Sequence, residues 1–434
     1  MPRILLLATT TGYQTRAFGE AADALGVDLV FATDRCEQID DPWRDGAIAI
    51  RFHEEERSVD AIVAAARHQP IDGILAVGDR PTVIAARAAE ALRLPWHSPE
   101  AAAIARHKQL TRERITAAGL PSPWFITTTI GADPRLLEPP TFPCVVKPVS
   151  LSGSRGVMRA DDRESFCVAF ERLRALLRSP EVQVERSAAH EAILIEGFIP
   201  GREYALEGLL HHGQLQVLAI FDKPDPLDGP FFEETIYLTP SRATGDDQRR
   251  IADTIGIAAR AIGLHHGPIH AECRVNGDGV YVLEVAGRPI GGICARSLRF
   301  ESVTGPPKTS ISLEDLLLRH TLGEAPDHWQ RVAGASGVMM VPIPRRGIYR
   351  GVAGIEGARA VPGVTDIRIT AKPDQRLVPL PEGASYLGFI FARAGESEAV
   401  DAALRAAHQR LSFRIEPEFP LLTGPQIRYN QAHG

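Results

Sequence analysis

Two glutamates in one short segment carry the clearest chemistry in this 434-residue chain. The segment reads His270-Ala-Glu272-Cys-Arg-Val-Asn-Gly-Asp-Gly-Val-Tyr-Val-Leu-Glu284-Val-Ala286-Gly-Arg288. Asn276-Gly-Asp-Gly is a strong turn signal and pairs a strand around 268–275 with one at 280–286. Glu272 and Glu284 share the parity of residues pointing to one face. Facing carboxylates repel unless a cation lies between them. Mg²⁺ suits the position, because it takes hard oxygen ligands and shares them with nucleotide phosphates; Mn²⁺ is the alternative ion. Arg288, at the strand end, could stabilise charge on a transferring phosphoryl group. Solvated glutamates on an exposed sheet face are the competing reading, which the apolar strands argue against.

A second segment, Phe142-Pro-Cys-Val-Val-Lys147-Pro-Val-Ser150-Leu-Ser152-Gly153-Ser154-Arg155-Gly156-Val157, sets one lysine at the end of a buried β-run. The small residues after it allow close backbone approach to phosphates, and Lys147 would add a point charge. Alone, the segment is better read as a lysine at a strand end with a solvated hairpin, and it is not a Walker A loop. A third, Ile193-Leu-Ile-Glu196-Gly-Phe198-Ile199-Pro-Gly201-Arg-Glu203, joins two strands through a short connection. Its backbone could read an adenine edge with Phe198 on the base, and its carboxylate could accept from ribose hydroxyls; a charged hairpin is as good a reading. Glu234 could hold a substrate ammonium or be a surface carboxylate. His270 could line the site or be a satisfied core histidine.

Composition limits the setting. Hydrophobic residues make up 44% and charged residues 24%, as in globular proteins with a sizeable core. A net charge of −6 offers no general surface for nucleic acid or an acidic membrane, so a nucleotide site must gather its own positive charge. The five cysteines (Cys36, Cys144, Cys167, Cys273, Cys294) never form a C-x-x-C pair and read as reduced core residues. The apolar start is too short for a signal peptide, and no run approaches a membrane span, so a cytoplasmic location is expected.

The elements that must position these residues alternate early in the chain. Strands at 4–8, 27–32 and 71–77 are separated by helices at 15–26 and 57–68, with another at 81–93, which predicts a parallel sheet covered by helices. The loops 9–13, 33–36 and 78–81 at its carboxyl edge should face the active centre. One helix is expected from Ser98 through Lys108 to Ala118, then a strand-rich stretch at 123–200 with a helix near 164–178. A second strand-rich stretch at 203–290 holds one helix (247–263). Residues 331–434 read as an appended α+β domain with a strand at 386–391 and a helix at 396–411.

The order of these parts resembles the ATP-grasp ligases over residues 1–300, and His107-Lys108-Gln-Leu-Thr111-Arg112 resembles the entry to their nucleotide-binding half. The resemblance implies an α/β and α+β chain. An N-terminal parallel α/β domain (1–97) would precede an ATP-grasp domain (98–330, lid lobe about 123–195) and a C-terminal α+β domain (331–434). It implies Lys108 and Lys147 as phosphate-contacting lysines and 150–157, with Ser152, Gly153, Ser154, Gly156 and Val157, as a mobile loop over ATP. Glu196, Phe198 and Ile199 would form the adenine hinge and Glu203 would accept from the ribose. Glu272 and Glu284 would hold Mg²⁺, and Arg288 would be the catalytic arginine. Ala286 stands where many members have asparagine.

The string Glu284-Val-Ala-Gly-Arg288-Pro-Ile-Gly291-Gly292, with Ile311–His320 and Tyr386–Ala392, looks like the L-amino-acid ligase branch, which makes dipeptides. Gly291 and Gly292 would then lie on the substrate side. Small-molecule acid and amine substrates are implied, with a homodimer left open. A similar string occurs in carboxyaminoimidazole ribonucleotide synthases, whose chains are shorter. A catalytically silent ATP-binding protein is the remaining alternative.

Overall fold

In the computed structural model, residues 1–9, 13–34, 46–304 and 310–418 are described. The N-terminal apolar runs form strands β1 (Arg3–Ala8), β2 (Asp28–Asp34), β3 (Ile48–Ile50) and β4 (Gly73–Val77), in the order β3-β2-β1-β4. All are parallel. Helix α1 (Tyr13–Leu25) connects β1 to β2, α2 (Glu55–His68) connects β3 to β4, and α3 (Thr82–Leu92) follows β4, so the expected strand–helix alternation holds. The three-residue β3 is too short to carry a periodic signal. Much of the loops 9–13 and 33–36, and Cys36, lie outside the described residues.

The single helix expected from Ser98 is two. Ser98 caps α4 (Pro99–Ala105), but His107 adopts an extended conformation and its side chain accepts from the Leu110 amide, starting α5 (Lys108–Ala117) afresh. A side chain that can cap an N-terminus competes with helix continuation. The break sets Lys108 at the first position of a new helix, with its amide on Val149 O at 2.8 Å.

A small antiparallel sheet follows, built from β5 (Phe125–Thr129), β6 (Cys144–Pro148), β7 (Met158–Ala160) and β8 (Ala192–Gly197) in the order β5-β8-β6-β7. Helix α6 (Arg163–Leu177) covers it, started by a reciprocal cap between Asp162 and Ser165, with the short α7 (Pro180–Gln183) after it. The apolar stripe Phe166, Phe170, Leu173 and Leu177 is buried against this sheet.

Next come β9 (Arg202–His211), β10 (Gln214–Asp222), β11 (Ile236–Thr239), α8 (Gly245–Ile262), β12 (Gly267–Asn276) and β13 (Gly279–Ala286). A ribbon of β14 (Phe300–Ser302) and β15 (Trp329–Arg331) flanks α9 (Leu313–Thr321). Helix α9 returns to pack on α1 and β4. Gly73 makes that approach feasible, since a Cβ there would overlap Thr321.

The C-terminal elements are β16 (Ala335–Val341), β17 (Gly347–Ala353), α10 (Ile355–Arg359), β18 (Val364–Ile369), β19 (Arg376–Leu377), β20 (Gly388–Ala394), α11 (Ser397–Gln409) and β21 (Ser412–Glu416). They are less separate than the word "appended" suggests. Strands β16, β20 and β18 continue the central sheet, giving one eight-stranded order β13-β12-β9-β10-β11-β16-β20-β18, while β19-β17-β21 form a small sheet of their own. The joint is the antiparallel pairing of Ile236–Thr239 with Ser336–Met339.

Candidate active site

Glu272 and Glu284 are direct cross-strand partners on β12 and β13, with a bulge immediately after Glu272. The hairpin turn is closed by Asn276 Oδ1, which accepts from the amides of Asp278 and Gly279 at 2.9 and 3.2 Å. Their surroundings differ. Glu284 lies 3.7 Å from Lys108 Nζ. Glu272 Oε1 lies 2.9 Å from Lys223 Nζ, which also reaches Glu203 at 2.9 Å and Glu234 at 2.5 Å.

Lys223, which sequence reasoning did not single out, is the centre of this carboxylate cage. It follows β10 directly, a lysine delivered by an apolar strand as Lys147 is. Three carboxylates hold its pKa well above the ordinary lysine value against the opposing effect of burial. Glu234 also accepts from Tyr237 Oη at 2.9 Å. Burial, reinforced by the charge of Glu272, pushes Glu234 up to about 7. Burial would raise Glu272 too, but Lys223 and His270 hold it well below the usual range. One member of the pair therefore stays ionised while the other sits near its titration point. Both oxygens of Glu234 have partners within the cage, Oε1 with Lys223 and Oε2 with Tyr237.

His270 is a brace. Its Nδ1 is 3.1 Å from Glu207 Oε2 and its Nε2 is 3.7 Å from Glu272 Oε1; despite burial, the two carboxylates raise its pKa to about 9. Glu207, fully buried, also accepts from the Ile290 amide, and so anchors the backbone leading to the exposed Gly291 and Gly292.

Lys147 leaves β6 and meets Glu196 on β8, while Arg112 of α5 grips the same carboxylate from Nε at 2.8 Å and Nη2 at 3.2 Å. Burial alone would raise Glu196, but the two cations bring it down to about 2. Burial lowers Lys147 to about 8, with Arg112 and Lys108 adding repulsion that its pairing with Glu196 does not overcome. The Glu196 carboxylate is thus committed inside the lobe, so any base contact expected of this connection would fall to the backbone of 197–199. Part of that backbone is used as well: the Phe198 amide donates to Pro143 O, and Ile199 O accepts from Arg274. Arg159 and Arg274 guanidinium carbons lie 4.4 and 5.1 Å from the Phe198 ring centre. Glu203 has one oxygen on Lys223 and the other on Arg274 Nε at 2.9 Å.

Lys108 Nζ donates to Leu151 O at 2.5 Å, tying α5 to the start of the small-residue loop. Within that loop Gly153, Ser154 and Gly156 have positive φ, and Ser152 and Gly153 are exposed. The far side of the loop is fastened to the C-terminal part. Gly156 N and Arg155 Nε donate to Pro381 O and Glu382 O, both at 2.8 Å, and Arg172 of α6 pairs with the Glu382 carboxylate. The loop at the end of β4 also reaches this region, through a two-point ion pair between Asp79 and Arg288.

Three family models match in chain order: an ATP-grasp N-terminal domain over 19–96, an ATP-grasp domain over 140–297, and an L-amino acid ligase C-terminal domain 2 over 339–416. The crystal structure of an L-amino acid ligase from Bacillus licheniformis superposes with a TM-score of 0.79 at 25% identity, covering 96% of this chain and 99% of that one. This chain belongs to the ATP-grasp superfamily. The L-amino-acid ligase branch is the part of the superfamily it resembles. An uncharacterized protein of Sinorhizobium fredii is 25% identical over 75% of this ATP-grasp chain and 64% of its own length. An alanine–anticapsin ligase of Bacillus subtilis is 29% identical over 51% and 49% respectively. The chain thus spans about half to two thirds of the length of these curated relatives. No described helix is long and apolar enough to cross a membrane.

The site residues of this ATP-grasp chain fit Mg²⁺. Glu272 meets Lys223, Tyr237 and His270 through Oε1, and across the hairpin from it the Glu284 carboxylate offers a second set of hard oxygen donors. Their side chains are 21% and 26% exposed, so nucleotide phosphates can complete the ligand shell.

Proposed function

We propose that this protein is a Mg-ATP-dependent carboxylate–amine ligase that joins L-amino acids through an acyl phosphate. The observation that carries the reading is the cross-strand pair Glu272–Glu284 with Lys108 and Arg288 beside it, on a chain whose architecture follows an L-amino acid ligase end to end. Lys108 and Lys147 bind phosphate oxygens, and the exposed loop residues Ser152 and Gly153, with the half-buried Ser154, offer amides over the triphosphate. Glu272 and Glu284 hold the ion, which draws charge from the phosphates when bound.

A carboxylate oxygen of the first substrate attacks the γ-phosphorus, and the bond to the bridging oxygen of ADP breaks. Arg288, held in place by Asp79, stabilises charge on the transferring group. The amine of the second substrate then attacks the acyl carbon, phosphate leaves, and the nitrogen loses a proton. Positioning and electrostatics suffice, with no protein nucleophile. The fastened loop keeps water from the acyl phosphate.

The test is phosphate release over pairs of amino acids with Mg-ATP, with the amide product identified by mass. Release stimulated by particular pairs, and absent in Glu284→Ala, is the expected result. Phosphate formation that no acid–amine pair stimulates would sink the ligase reading, and stimulation by bicarbonate with aminoimidazole ribonucleotide alone would replace it.

A further inference from the structure

Three histidines from three separate elements meet far from the carboxylate cage. His211 ends β9, His266 lies in the connection from α8 to β12, and His320 sits in α9. One ring nitrogen of each lies within 4.8 Å of the other two. His211 Nδ1 and His320 Nε2 are 3.2 Å apart. The ring centres are separated by 5.3 Å (211–320), 5.4 Å (211–266) and 4.4 Å (266–320). His266 and His320 are 4% and 2% exposed, and His266 Nδ1 is buried with no hydrogen-bond partner among the described residues.

A buried polar atom without a partner calls for a physical reason. His97 shows what a satisfied core histidine looks like in the same neighbourhood. Its Nε2 meets Pro268 O at 3.3 Å and its Nδ1 accepts from the His265 amide at 3.1 Å. Among the described residues the trio shows no such backbone partner; His211 and His320 meet each other, and His266 Nδ1 has no partner. Two nitrogens bound to one tetrahedral Zn²⁺ at about 2.0–2.1 Å stand about 3.4 Å apart, with ring centres about 5 Å apart. The His211–His320 pair already has that spacing, and modest rotation of His266 brings in the third.

We propose that His211, His266 and His320 bind a borderline first-row divalent ion, Zn²⁺ being the reference case, with a fourth position open toward the exposed His212. Imidazole-only ligation suits Zn²⁺ and its neighbours and not Mg²⁺, so this ion is distinct from the one at Glu272 and Glu284. Glu203 and His211 are eight residues apart on β9, about 26 Å at strand rise. The ion therefore acts by fastening. It ties the β9–β10 turn and the α8–β12 connection to α9, the helix that packs on α1 and β4.

The experiment uses full-length, tag-free protein stripped of metal and titrated with Zn²⁺, and separately with Co²⁺, against a chromophoric chelator. Expected are one ion per chain, a tetrahedral Co²⁺ absorption band, and a melting temperature that rises with Zn²⁺. His211 is partly exposed, so His211→Gln should fold and bind at least about tenfold more weakly. Glu284→Ala should keep the ion. Absence of stoichiometric binding in the wild-type protein overturns the proposal without recourse to any variant. Undiminished binding in His211→Gln, or loss of the ion in Glu284→Ala, overturns it too.

Discussion

Asp79 and Arg288 stand 209 residues apart in sequence and meet in a two-point ion pair, Nε to Oδ1 at 2.8 Å and Nη2 to Oδ2 at 3.1 Å. The aspartate lies in the loop after the last strand of the N-terminal sheet, and the arginine follows the second strand of the Glu272–Glu284 hairpin. Only 9% of the arginine side chain and 20% of the aspartate side chain is exposed. The N-terminal domain therefore sets the direction of the proposed catalytic guanidinium. Asp79→Asn keeps the shape and removes the charge. Turnover should fall on the order of tenfold or more, with a smaller change in KM for ATP. Stability should fall by up to about 3–5 kcal/mol, because the buried arginine is left uncompensated. Lower melting with unchanged turnover per folded molecule would show that the pair only holds the domains together.

Glu272 and Glu284 should respond differently to the same substitution. Glu284→Gln disturbs little besides a 3.7 Å contact with Lys108, so phosphate release should drop about 100-fold or more while the melting temperature holds. Glu272→Gln also removes one of three carboxylates from Lys223, so activity and stability should both change. Paired thermal melts and Mg²⁺ titrations of ATP turnover separate the two.

Lys147 predicts a limit at alkaline pH. Burial holds it at about 8, so its phosphate-binding cationic form is present below that pH and is lost above it. In the ATP-free protein, kcat/KM for ATP should decline by up to about tenfold per pH unit above 8. Because the folded pKa lies below the ordinary lysine value, titration of this group favours the folded state as pH rises through that window. The decline should thus appear without unfolding, and Lys147→Arg should move it upward. A flat profile to pH 9.5 would remove Lys147 from the binding step.

The lysine cage offers a substitution by an ion. Lys223 Nζ touches Glu203, Glu234 and Glu272, three carboxylates close enough together to hold a cation of their own. Lys223→Ala should lose several kcal/mol of stability, since buried carboxylates are left unpaired. Mg²⁺ or Mn²⁺ should restore part of that loss and raise the melting temperature more than in the wild-type protein. Equal metal dependence in both proteins would rule out occupation of the cage.

Much of the frame was legible in the chain, because strand ends and hairpins are local. The alternating N-terminal elements, the Asn276 turn and the parity of Glu272 and Glu284 follow from neighbours in sequence. What could not be read was which charge meets which. Arg112, Lys223 and Arg274 arrive from other elements to neutralise Glu196, Glu203 and Glu234, and their partners lie 11 to 84 residues away. An apolar strand announces that a charged residue at its end will be held firmly, but not by what. The break at His107 was missed for a related reason: its cap depends on one side-chain torsion, whereas the surrounding alanines and leucine favour a helix throughout.

The central sheet has no seam. Strand β11 pairs with β10 on one side and β16 on the other, and Ile236, Tyr237 and Leu238 are all buried there. Cutting the chain before β16 would bare a row of unsatisfied amides and carbonyls flanked by large apolar side chains, an adhesive border prone to self-association. The C-terminal quarter is therefore structurally continuous with the nucleotide-binding half. A chimera that exchanges it between relatives must conserve the β11–β16 register before it can alter what the enzyme accepts.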